Sequence, residues 1–82
     1  MITPTKGIAP QRALLSVAAQ ISIVLTEPMT VSQVWVGLQK WRTRNGNDQI
    51  VSFAWFVLAL DVLFMLGAVI LDAGLIHKVG VR

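Results

Sequence analysis

The chain has 82 residues and a net charge of +3, with 55% hydrophobic residues, 13% charged residues and no cysteine. Disulfides and thiolate metal sites are thereby excluded, and His77, the one histidine, cannot build a ligand cluster by itself. A domain this small is only marginally stabilised by its own core, and an apolar share above that of an ordinary soluble domain points to a chain covered by a partner.

The first ten residues, MITPTKGIAP, hold prolines at 4 and 10 and a glycine at 7, so they read as an extended N-terminal arm. Lys6 and Arg12 ahead of ALLSVAAQISIVL have the order of a secretory leader. Gln20 interrupts the apolar run, however, and VLTEP lacks the small residues of a cleavage site.

Residues 11–82 read as one domain. From Gln11 to Leu25, Leu14, Val17, Ala18, Ile21, Val24 and Leu25 recur at helical spacing, which predicts a first amphipathic helix closed before Pro28. Thr30 and Gln33 form a capping box ahead of a second helix from Val31 to about Trp41, with Met29 and Val34 placed as a hydrophobic staple. Its apolar face is Val31, Val34, Trp35 and Leu38, and RTRNGNDQ should follow as a polar loop.

The next stretch, Ile50 to Leu71, is twenty-two residues with Asp61 as its only charge. At 1.5 Å per residue it would cover about 33 Å, enough to cross a bilayer core of about 30 Å. Its punctuation favours a different reading. Ser52 caps a third helix from Phe53 to Leu66, Gly67 supplies the left-handed residue that closes it, and AVIL-DAG-LIHKV is a β-hairpin turning at Gly74. A lipid-facing hairpin strand would leave backbone groups unpaired.

Arm, two helices, loop, helix and hairpin make an α+β, mostly helical chain with the order of a winged helix-turn-helix domain. In a DNA reader the third helix would offer Arg, Lys, Asn or Gln to base edges. Here it is FAWFVLALDVLFML, apolar all round and therefore expected to be covered all round. Trp55, Phe56, Leu63 and Phe64, with Ile8 of the arm, are the candidate protein interface. Asp61 reads as a structural ion pair or an interface hydrogen bond, since no second carboxylate, histidine or lysine shares its helix.

The basic group Lys40, Arg42 and Arg44 could touch phosphate, against the plainer account of a solvated loop. No glycine-rich phosphate loop is present, so any nucleotide hydrolysis belongs to a partner. Two other classes stand as alternatives. One is a single-span membrane protein with the span at 50–71 and the basic group on the cytoplasmic side; the other is a DNA-binding winged helix using loop and hairpin charges.

The arm with Pro4 and Lys6-Gly7-Ile8, the run ALLSVAAQISIVL, the segment TVSQVWVGLQ and the stretch VSFAWFVLALDVLFMLGAVILDAGLI, with its LALD and LG elements, resemble a known bacterial family. It is the small middle component of ABC-three-component systems, class six. The resemblance spans most of the chain. It implies a cytoplasmic, non-enzymatic subunit without cofactor that links an ABC ATPase of the SMC or Rad50 type to an effector in antiphage defence. Self-association is possible in such a subunit, and nucleic acid would be met only through the complex.

Overall fold

A computed structural model describes residues 10–46 and 51–79. The arm before Pro10, including Ile8, lies outside the described residues. Three helices, α1 (Pro10–Val24), α2 (Val31–Arg44) and α3 (Phe53–Met65), precede an antiparallel hairpin of β1 (Val69–Asp72) and β2 (Leu75–Lys78). The chain is thus α+β and mostly helical, in a layout consistent with the winged-helix order.

Each boundary has a local cause. Thr30 accepts the backbone N–H of Gln33 at 3.1 Å while the Gln33 side chain accepts the Thr30 N–H at 2.9 Å, closing the capping box at the start of α2. Ser52 accepts the N–H of Trp55 at 3.1 Å and caps α3. Gly67 (φ 74°) ends α3 in a Schellman motif, its N–H donating to Phe64 and that of Ala68 to Leu63.

α2 runs about one turn beyond the expected end at Trp41. Arg42 and Arg44 complement the negative end of the helix dipole, and the Asn45 amide donates to the Trp41 carbonyl at 2.8 Å.

The core is built from all of these elements: Val17, Ala18, Ile21 and Leu25 of α1 and its end, Val34 and Leu38 of α2, Phe56, Ala59, Leu60 and Leu63 of α3, and Val69 and Ile76 of the hairpin. Val31, expected on the inward face of α2, is exposed.

The hairpin turns through Ala73 and Gly74, both at positive φ (55° and 79°), as a two-residue turn between Asp72 and Leu75 requires. Its second strand is held from both sides. Besides β1, Met29 exchanges two backbone hydrogen bonds with Ile76, donating at 3.2 Å and accepting at 2.7 Å. The α1–α2 connection therefore acts as a third, one-residue strand, and among the described residues β1 is left at the edge.

The stretch read as a span in the membrane alternative is divided here, with residues 53–65 in α3 and 69–72 in β1. Among the described residues no helix is long and apolar enough to cross a membrane. The 13 residues of α3 reach only about 20 Å.

Candidate protein interface

With 3.6 residues per turn, α3 turns Phe56, Ala59, Leu60 and Leu63 inward. Ala54, Leu58, Asp61 and Met65 fall on the opposite side as an i, i+4, i+7, i+11 ridge. Leu58 is 51% exposed, Met65 78%, and Leu66 at the helix end 70%. Phe53, Trp55 and Val57 flank that ridge and are exposed as well. The third helix is apolar on all sides yet covered by its own domain on only one.

The expected interface residues separate accordingly. Trp55 is exposed and Phe64 is half-buried, packed against the core. Phe56 and Leu63 are corrections: both are buried inside the domain, because their positions lie on the stripe that faces α1 and α2. Phe56 also sits in an aromatic cluster, 5.1 Å from Trp35 and 5.5 Å from Phe53 between ring centroids. Trp35 and Phe53 meet edge to face at 5.3 Å.

Residues that the sequence pattern does not single out, Leu58, Met65 and Leu66, carry the exposed ridge. Helical phase relative to Phe56 is the signal that finds them, once the inward stripe is known.

The basic group does not converge. Lys40 and Arg44 are exposed one turn apart, whereas Arg42 is buried and its guanidinium donates to Oε1 of Gln20 on α1 at 2.7 Å. Arg42 is therefore a correction too: it ties two helices together and is not presented to a phosphate. Asp61 is exposed in the apolar ridge, and no ion pair to it forms among the described residues.

His77 is half-buried beside Leu25, Thr26, Glu27, Pro28 and Lys78, around a shallow, open pocket of about 230 Å³. No group of three or more His, Asp or Glu side chains that could hold a metal occurs among the described residues.

The family model described as ABC-three component (ABC-3C) system Middle Component 6 matches residues 3–79. The chain belongs to this family. No curated protein and no solved structure matches it. As a middle component of a multi-component system, the chain has partner proteins.

Proposed function

We propose that this middle component is a non-enzymatic adaptor and regulatory subunit of winged-helix type. It sits in a cytoplasmic complex between an ABC ATPase of the SMC or Rad50 type and an effector, in bacterial antiphage defence. Docking uses the outward side of α3, with Trp55 and the edge of Phe64 beside Leu58, Met65 and Leu66, and the arm with Ile8 adds a second contact. Nucleic acid is met only through the complex.

The single observation behind this reading is the apolar outward ridge of α3 on a chain whose family places it among partners. Full burial of a Leu, Met or Phe side chain contributes about 1.5–3 kcal/mol, so covering the half-exposed ridge gains about 1 kcal/mol per side chain. Several such contributions together are set against the entropic cost of association and favour assembly with a partner. Asp61, within this ridge, then selects a partner surface that offers it a donor, since an unmatched buried carboxylate would oppose docking.

The test is hydrogen exchange on the chain alone and mixed with the ABC ATPase component of its system. Protection gained across residues 53–66 supports the reading. Unchanged exchange there, with protection elsewhere, removes it.

A further inference from the structure

We propose that β1 pairs with the β1 of a second copy, joining two domains through one continuous antiparallel sheet. Among the described residues β1 pairs only with β2, whose other side is taken by Met29, so β1 is an edge strand there. The register pairs Ile70 with His77 and Asp72 with Leu75, and the N–H of Val79 donates to Ala68 at 2.9 Å. In an antiparallel ladder the residues that bond across a given edge alternate. Ala68, Ile70 and Asp72 therefore bond inward to β2, while Val69 and Leu71 turn their N–H and C=O groups outward. The same alternation on β2 turns both groups of Ile76 toward Met29, which is where they are found.

Natural edge strands are usually guarded by shortness, by charged side chains, above all lysine, by proline, by a bulge or by a covering element. β1 is short, VILD, with Asp72 as its one charge and no lysine or proline, and Ile70 and Leu71 are 52% and 59% exposed. A second copy satisfies this edge in one register better than in its neighbours. With the two-fold axis at Ile70, Val69 of each copy bonds Leu71 of the other, and all four outward groups of each strand segment are used. Centring on Leu71 would place Val69 opposite the turn residue Ala73, and centring on Val69 would place Leu71 opposite Gly67, which has a left-handed backbone.

Charge also permits the Ile70 register. Each Asp72 falls opposite the second copy's Ala68, so the two carboxylates stand about 14 Å apart along the strands. The approaching turn meets Gly67, beside which there is open space. This pairing is independent of what covers α3.

The Ile70 register places the two Ile70 residues at a non-hydrogen-bonded site, with Cα atoms about 4.5 Å apart, close enough for a disulfide. Because the chain has no cysteine, a single substitution reports the register. The full chain carrying Ile70→Cys, mildly oxidised in cell extract, is expected to give a disulfide-linked dimer, and Asp72→Cys is expected to form no disulfide link. Leu71→Pro deletes an outward N–H without touching the ladder to β2, and should weaken the dimer at least about tenfold in sedimentation. Leu58→Glu on α3 should leave the dimer intact. A monomeric Ile70→Cys chain, equal crosslinking through position 72, or a dimer indifferent to Leu71→Pro would overturn the proposal. Loss of the dimer in Leu58→Glu would assign the association to α3.

Discussion

The guanidinium of Arg42 donates to Oε1 of Gln20 at 2.7 Å, and Nε2 of Gln20 donates in turn to the Ser16 hydroxyl at 3.3 Å. This chain of side chains ties the last turn of α2 to α1. Arg42→Ala removes a charge-assisted bond and the packing of a buried aliphatic stem. It is expected to lower unfolding free energy by about 1–3 kcal/mol, measured by urea denaturation. Lys40→Ala and Arg44→Ala, both exposed, should stay within about 0.5 kcal/mol of the parent. A reversed order would mean that the Arg42 link is not structural.

Phe56 and Trp55 are neighbours in sequence with opposite surroundings. Phe56→Ala opens a cavity between α3 and the other helices and should cost about 3–5 kcal/mol, enough to unfold a domain of this size. Trp55 is 36% exposed, so Trp55→Ala should lower the melting temperature less than Phe56→Ala and act on partner binding as well. Circular dichroism melts of the two variants separate core from interface.

Close packing of α1 on α2 depends on Gly37. A Cβ at that position would lie 2.7 Å from Cγ1 of Val24, a β-branched side chain with little rotamer freedom. Gly37→Leu gains helix propensity but overpacks the contact, for an expected net loss of about 1–2 kcal/mol in urea denaturation. An unchanged midpoint would show that the two helices can separate at no cost.

Ala73 holds a left-handed conformation (φ 55°) at the first turn position of the hairpin. Asparagine tolerates this region better than alanine, so Ala73→Asn should raise stability by about 0.5–1 kcal/mol, read as a higher melting temperature. A fall would indicate that the turn is not type I′ in solution.

Much of this fold was legible because its punctuation is local. Thr30 with Gln33, Ser52 and Gly67 each mark a boundary through a hydrogen bond within a few residues, and those boundaries agree with the structure. Gly74 marked the hairpin for the same reason. What escaped is set by tertiary packing. The end of α2 moved outward because Arg42 finds Gln20, twenty-two residues earlier in the chain. Phe56 and Leu63 were indistinguishable from Leu58 and Met65 in an all-apolar helix, where periodicity carries no phase. Only the position of α1 and α2 fixes which stripe is inside. The third strand contributed by Met29 left no pattern at all, since one extended residue has no period.

The central claim is that the outward ridge of α3 binds a protein of the same system. Its most direct measurement is co-purification of the tagged chain with the ABC ATPase component of its system, comparing the parent with the double variant Leu58→Glu, Met65→Glu. Both substitutions are at exposed positions, so the variant should keep its helical circular dichroism. The parent is expected to retain the ATPase in fixed proportion while the folded variant loses it. Equal retention by parent and variant would contradict the account.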